Sequence, residues 1–488
     1  MNKKNIINFS NHYLIFRRTK IVATLGPASS PDEILSKLIQ KGVNVFRINF
    51  SHGDPEEHCK NIKKIRDTAK KLNKHVAVLA DLCGPKIRVG KFKNGFITLV
   101  EGKKIIITVK SVIGSENIIP SQYKGLIKEV KTEQRILLND GAMEVKVIKK
   151  SNNTDLEAVV IRGGVLKDHK GMNLPDTNLK ISALTEKDKK DVKYCIKSNV
   201  DYIALSFVRK ESDIIELKNL LKLYKKNIPV ISKIEKPEAI ANINKIIEIS
   251  DGIMVARGDL GVELPQQKVP LIQNELIKLA NKFGKPVIVA TQMLESMIEN
   301  SRPTRAEVTD VASACMSGSD AVMLSGETAV GKFPVETVAM MDSILREVES
   351  NQWASVKFNF NIDTNKKLEP MLDAISAATS QISRDLSIRC IAVLTRTGST
   401  ARFVAADKPA APIIAITKSE SVLRQMNLIW GVYPFLANKE FKFNDFVKYA
   451  SNIAVNLKFA KTGQYILILS GLKGTNAVTN SIVVYQVQ

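Results

Sequence analysis

GIMVARGDLGVELPQQKVPLIQNELIKLANKFGKPVIVAT, residues 252–291, holds two short apolar runs separated by a longer amphipathic stretch. The runs Gly252–Ala256 and Val287–Thr291 have the length and β-branched content of buried strands, and Gln273–Phe283 between them reads as a helix. Strand, helix, strand is the repeating unit of a parallel sheet with crossover helices. The rhythm extends outward on both sides. Six more runs, Ile21–Leu25, Val43–Phe50, Val76–Leu82, Tyr202–Phe207, Val230–Glu235 and Ala321–Ser325, complete a set of eight, with Pro31–Lys41 as another helix-like segment. Eight strands alternating with helices predict an α/β fold, the (β/α)8 TIM barrel.

The rhythm breaks twice. From about Gly84 to Ile181 the pattern changes to short strands with turn glycines, namely Phe96–Leu99, Lys104–Val109, Arg135–Leu138, Met143–Lys149 and Leu156–Ile161. This predicts an inserted lid over residues 85–181, read as a small β-barrel. After Glu349 the stretch NQWASVKFNFNIDTNKKL, ending at Leu368, loses periodicity. A new alternation then starts with the helix-like Asp373–Leu386 and continues through the runs Cys390–Thr395, Pro412–Thr417, Val432–Leu436, Tyr465–Ser470 and Ser481–Val487. It predicts a C-terminal open α/β domain over 350–488. The barrel itself is then 17–84 together with 182–349, and residues 1–16 form an N-terminal extension.

Composition narrows the function. The chain has 488 residues and is 44% hydrophobic, enough for several cores. No window approaches the roughly 18 consecutive apolar residues of a membrane span, so no membrane partner is expected. Five scattered cysteines, Cys59, Cys83, Cys195, Cys315 and Cys390, with no CxxC pair, argue against a disulfide framework or zinc site and for a reducing, cytoplasmic setting. The first 18 residues carry Lys3, Lys4, Arg17 and Arg18 and no acid; they read as a surface extension, with an organelle leader as the alternative. The net charge of +23 invites a nucleic-acid partner, but the lysines are dispersed and aromatics are only 6%, so none is expected.

In a barrel of this kind chemistry gathers at the C-terminal strand ends. The second strand ends in Arg47, Asn49, Ser51 and His52, the third in Asp81, and the fifth in Lys233 and Glu235. Arg257 and Asp259 follow the sixth, Thr291 ends the seventh, and Glu327 follows the eighth. Lys233 and Glu235 are two apart and share a strand face, as do Arg47, Asn49 and Ser51. Charges converging in apolar surroundings require mutual pairing or a ligand. Glu235 and Asp259 suit Mg²⁺ or Mn²⁺, which take oxygen ligands from one or two carboxylates and the substrate. Arg47, Lys233 and Arg88 offer cationic donors to phosphate, and the Gly258–Asp259 turn offers backbone N–H groups to a carboxylate. The set reads as a phosphorylated acid held on a metal.

The segments KIVATLGPAS (20–29), FRINFSHG (46–53), DLCGPKIR (81–88), ISKIEKPEA (231–239), VARGDLGVE (255–263), ATQMLESM (290–297), RPTRAEVTDVA (302–312) and MLSGETAVGKFP (323–334) resemble, in order, the signature of the pyruvate kinase family. The resemblance runs from about Arg17 to Gln488. It implies Mg²⁺-dependent phosphoryl transfer from phosphoenolpyruvate to ADP in glycolysis, in a homotetramer. It gives the metal to Glu235 and Asp259, the transferring phosphate to Arg47 and Lys233, and a proton relay at the methylene carbon to Thr291. The nucleotide would meet Asn49, His52, Arg88 and the lid.

Many relatives require K⁺ and carry a threonine after the aspartate and a glutamate four residues later. Here those places hold Leu82 and Lys86, while Asn49, Ser51 and Asp81 remain. The ammonium of Lys86 is expected to replace the monovalent cation, giving K⁺-independent activity. In the C-terminal domain LTRTGSTAR (394–402) is a hydroxyl-rich turn suited to a phosphate, through Thr395, Thr397, Gly398, Ser399 and Thr400. It resembles the family's pocket for phosphorylated effectors, although GLKGTNAVTNS (471–481) is short for the accompanying loop. The competing readings are an aldolase or lyase acting on the same acid, and a catalytically silent metabolite sensor or nucleic-acid-binding relative.

Overall fold

The computed structural model describes residues 16–354, 370–438, 441–470 and 479–488. Nearly all of the N-terminal extension, most of the aperiodic stretch ending at Leu368 and most of the 471–481 loop lie outside the described residues.

Eight parallel strands close into a barrel: Lys20–Thr24, Val45–Asn49, Ala77–Asp81, Tyr202–Leu205, Val230–Ile234, Gly252–Ala256, Val287–Ala290 and Ala321–Leu324. Each pairs with its sequence neighbours, and the first pairs with the eighth through Lys20↔Ala321 to Ala23↔Leu324. The runs are apolar on both faces because both are covered. Val22, Val45, Leu79, Ile231, Met254 and Ile288 fill the interior. Ile21, Phe46, Ile48, Val78 and Ile253 point outward against the helices. The helix expected at Gln273–Phe283 starts earlier, at Val269, and Pro270 stands in its first turn, where a missing N–H carries no penalty.

The insertion between the third and fourth strands is all β apart from the short helix Leu126–Glu129. Its hydrogen bonds make a six-stranded sheet and a two-stranded sheet, the latter pairing Phe96–Leu99 with Gly164–Lys167. Both contribute to one core that includes Val89, Leu99, Ile107, Val145 and Leu166. The C-terminal domain is a five-stranded sheet with Ile391–Leu394 at its centre and the last strand, Ser481–Gln486, antiparallel. Its one-turn helix Met426–Leu428 closes the floor of the barrel: Leu428 joins the barrel's interior core, and Tyr202 Oη donates to Gln425 O at 2.8 Å.

Candidate active site

At the open end of the barrel four charged side chains meet almost out of water. Lys233 is 11% exposed, Arg47 12%, and Asp81 and Glu235 1% each. Strand alternation turns Lys233 inward, where Nζ donates to Ser206 Oγ (2.8 Å) and lies 3.3 Å from Asp81 Oδ1 and 2.8 Å from Glu235 Oε1. Arg47 donates from Nε to Asp81 Oδ2 (2.6 Å) and from Nη1 to Thr24 Oγ1 (3.1 Å). Two cations and two carboxylates balance, which makes their burial tolerable.

The grouping shifts each protonation equilibrium. Burial opposes charge on Asp81, but Lys233 and Arg47 outweigh it and hold its carboxyl below the usual range. Burial also opposes charge on Lys233, and Asp81 with Glu235 overcomes it, keeping the ammonium above the usual lysine value. Glu235 goes the other way: burial, reinforced by Asp259 and against the pull of Lys233, raises it.

Glu235 and Asp259 fit a divalent cation. Glu235 Oε2 accepts from the Phe207 N–H at 2.7 Å, and the buried Oε1 faces the Lys233 ammonium. The repulsion between Glu235 and Asp259, which Lys233 at Oε1 only partly offsets, is relieved by a hard cation with remaining positions for water and substrate oxygens. No cluster of three or more His, Cys, Asp or Glu suited to a metal forms among the described residues. Asp259 opens instead onto a cleft of about 1140 Å³ between barrel and lid, which Lys86, Gly258 and Thr291 also line.

Thr291 follows the seventh strand at φ 71°, a left-handed conformation unusual for a β-branched residue. Arg257 holds it there, donating to Thr291 O from Nη2 (2.7 Å) while Nη1 pairs with Asp310 (2.6 Å). Thr291 Oγ1 donates to Ala290 O at 2.6 Å and accepts from the Gly258 N–H at 2.8 Å. The Gly258 N–H, expected to face a carboxylate, is therefore engaged by Thr291. A Cβ at Gly258 would stand 3.3 Å from Thr291 Oγ1, so the glycine permits this approach.

The remaining expected residues spread around the rim. Asn49 Oδ1 accepts from the Ser51 N–H (3.1 Å). His52 is exposed, and partial burial with the charges of Arg88, Lys86, Arg47 and Lys187 drives its imidazole down. Arg88 stands in the lid and donates to His169 O at 3.1 Å. Two expectations near Asp81 need correction. Leu82 points into the outer core, because neighbours on a strand face opposite sides; only its carbonyl turns toward the site, accepting from Ser206 Oγ at 2.7 Å. Lys86 is exposed in the cleft beside Asp259, and the carboxylate of Asp81 is paired with Arg47 and Lys233.

Sequence reading gave no role to Thr24, Ser206, Lys236 or Glu263. Ser206 had a faint signal, a hydroxyl with the inward parity of Tyr202 and Ala204. Lys236 and Glu263 form a buried pair, and Glu263 also accepts from Asn173 of the lid at 2.8 Å. Glu327 is structural, accepting from the N–H groups of Ser325 (2.6 Å) and Leu294 (3.2 Å). In the C-terminal turn Gly398, at φ 83°, donates its N–H to Thr395 Oγ1 (2.9 Å). Thr397 pairs with Ser399 (3.0 Å) and Thr400 with Thr479 (2.7 Å), so these hydroxyls satisfy one another.

Residues 16–338 match the family model "Pyruvate kinase, barrel domain", and 373–485 match "Pyruvate kinase, alpha/beta domain". Pyruvate kinase 2 of Synechocystis sp. is 46% identical over 470 residues, covering 96% of the chain and 78% of that protein. The pyruvate kinase of Geobacillus stearothermophilus is 43% identical over 473 residues, covering 96% and 80%. The crystal structure of a pyruvate kinase from Cryptosporidium parvum superposes with a TM-score of 0.92 at 34% identity, covering 97% of the chain and 96% of that structure. An eight-stranded barrel whose second, third and fifth strands end in the balanced Arg47, Asp81, Lys233 and Glu235 group, together with matches along nearly the whole length, makes the chain a member of the pyruvate kinase family.

Proposed function

We propose that the protein transfers the phosphoryl group of phosphoenolpyruvate to ADP, giving pyruvate and ATP. The observation that supports this most is the buried group around Lys233, which keeps a cation in place for the charge of a moving phosphoryl group. Such transfer depends on positioning and charge neutralisation far more than on covalent help. Lys233 and Arg47 bind the phosphoryl oxygens, with Asp81 and Thr24 orienting the guanidinium. Glu235 and Asp259 would hold Mg²⁺ or Mn²⁺, which when bound neutralises substrate charge. Thr291, locked by Arg257 and Gly258, hands a proton through water to the carbon that becomes the methyl group. Arg88, Asn49 and His52 lie on the nucleotide side, and the lid excludes water that competes as acceptor.

Lys86 lines the same cleft as Asp259 and adds positive charge at His52, so turnover without K⁺ is inferred from charge added to the cleft and not from an ammonium at Asp81. We further infer a cytoplasmic homotetramer working in glycolysis, with the Thr395–Thr400 turn taking a phosphorylated effector. Pyruvate formation is measured with phosphoenolpyruvate, ADP and Mg²⁺, with and without K⁺, in the wild type and in Lys86→Glu. Indifference to K⁺ in the wild type and dependence in the variant is expected. A wild type that needs K⁺ removes the lysine argument, and a wild type that forms no ADP-dependent pyruvate removes the activity.

A further inference from the structure

The segment Ser206–Arg209, which follows the fourth barrel strand, touches the charged group and both chain crossings into the lid. At its start Ser206 Oγ accepts from Lys233 Nζ. Next, the Phe207 N–H donates to Glu235 Oε2 at 2.7 Å, with Phe207 held at φ 55°, a left-handed conformation that persists only where the surroundings impose it. Gly84, where the chain leaves the barrel, packs so closely here that a Cβ would stand 2.9 Å from Phe207 Cδ2 and 3.0 Å from Ser206 Cβ. At the other end Arg209, 8% exposed, donates from Nη1 to Leu179 O and from Nη2 to Ile181 O, where the chain returns. The backbone of Arg209 is itself anchored: its N–H donates to Asp213 Oδ2 and its carbonyl accepts from Asn242 Nδ2, each at 2.9 Å.

We propose that Arg209 is a positioning residue for the transfer, pinning the chain that returns from the lid to the same segment that orients Glu235. It rests on the function proposed above, in which the lid keeps water from the acceptor position. A guanidinium fork presents its two Nη groups in one fixed plane, one to each of two carbonyls two residues apart, an orientation that an ammonium on a flexible stem does not preset. The position of the lid and the direction of the Glu235 carboxylate are thus set by one rigid piece of backbone. When the pin is removed the lid swings more widely. Water then enters, and the phosphoryl group passes from phosphoenolpyruvate to water, giving pyruvate and inorganic phosphate in place of ATP.

The test follows pyruvate and ATP separately in the full chain with phosphoenolpyruvate, ADP and Mg²⁺. Arg209→Met is expected to raise the KM for ADP about tenfold, the scale of a lost charged hydrogen bond. It is also expected to form more pyruvate than ATP, where the wild type forms equal amounts. Arg209→Lys should fall between. Loss of stability alone lowers both products together and leaves their ratio at one, so an unchanged ratio with an unchanged KM for ADP overturns the proposal. If Arg209→Met does not fold, Asn242→Ala frees the Arg209 carbonyl without altering charge. It should shift the ratio in the same direction, and equal products there overturn the proposal as well. A wild type without ADP-dependent pyruvate defeats the proposed function and this inference together; an active wild type with unmoved variants defeats the inference alone.

Discussion

Lys233 carries the sharpest residue-level consequence. Replacing it by Met leaves Asp81 and Glu235 short of a cation in a buried site, a change on the order of 3 kcal/mol in stability. It also removes the donor aimed at the phosphoryl group, worth about 10²–10³-fold in kcat. Urea melts and steady-state rates should show both losses, with Lys233→Arg restoring stability better than rate. Lys20 makes a prediction about pH. Burial, assisted by Arg17, lowers its ammonium to about 7 while Nζ donates to Val432 O at 2.7 Å. The unfolded chain keeps that proton up to about pH 10. From pH 7 upward the unfolded state therefore binds more protons than the folded one, and stability rises with pH. Below pH 7 both states hold the proton and the rise ends. Lys20→Met should flatten the rise; denaturant midpoints taken on both sides of pH 7 that keep the wild-type slope would assign it to other groups. Lys233 and Glu235 were legible because charge two apart at the end of an apolar strand has few uses. Thr24, Ser206 and Lys236 were not, since single hydroxyls and a lysine beside a proline look like ordinary surface until their partners, distant in sequence, are brought in.

At the scale of elements, the strand ends do the aligning. The close approach of the sixth strand's exit to the seventh depends on Gly258 having no side chain. Gly258→Ala pushes on Thr291 Oγ1 and is expected to lower kcat about tenfold while melting changes by roughly 1 kcal/mol or less, the helix propensity of Ala offsetting part of the crowding. A rate loss matched by an equal stability loss would show that the contact serves folding alone. The barrel strands were readable from sequence because each is an apolar run of four or five residues covered on both faces. The lid strands Ile118–Pro120 and Met172–Asn173 were not, being two or three residues long and defined only by pairing with distant partners. Side-chain parity also matters: the family resemblance groups Leu82 with Asp81, whereas alternation sends the two side chains to opposite faces.

For the whole molecule, the barrel opens at one end onto the cleft beneath the lid and is closed at the other by the C-terminal domain. Leu428 is fully buried among Val22, Val45, Ala77 and Ala321. Leu428→Ala should destabilise the protein by about 2–5 kcal/mol, read as a lower melting temperature for the barrel and C-terminal domain together. Separate transitions, with only the C-terminal one shifted, would show that the contact does not join them. The backbone is tied in as well: Glu349 accepts from the N–H groups of Arg18 and Thr19, each at 2.7 Å, and Lys408 reaches Asp320 at 3.0 Å. This closure has a meaning for biogenesis. On a ribosome all eight staves emerge well before the residue that stoppers them. A nascent barrel thus waits with an oily floor uncovered, open to chaperones or to its siblings, until the last quarter of the message is read.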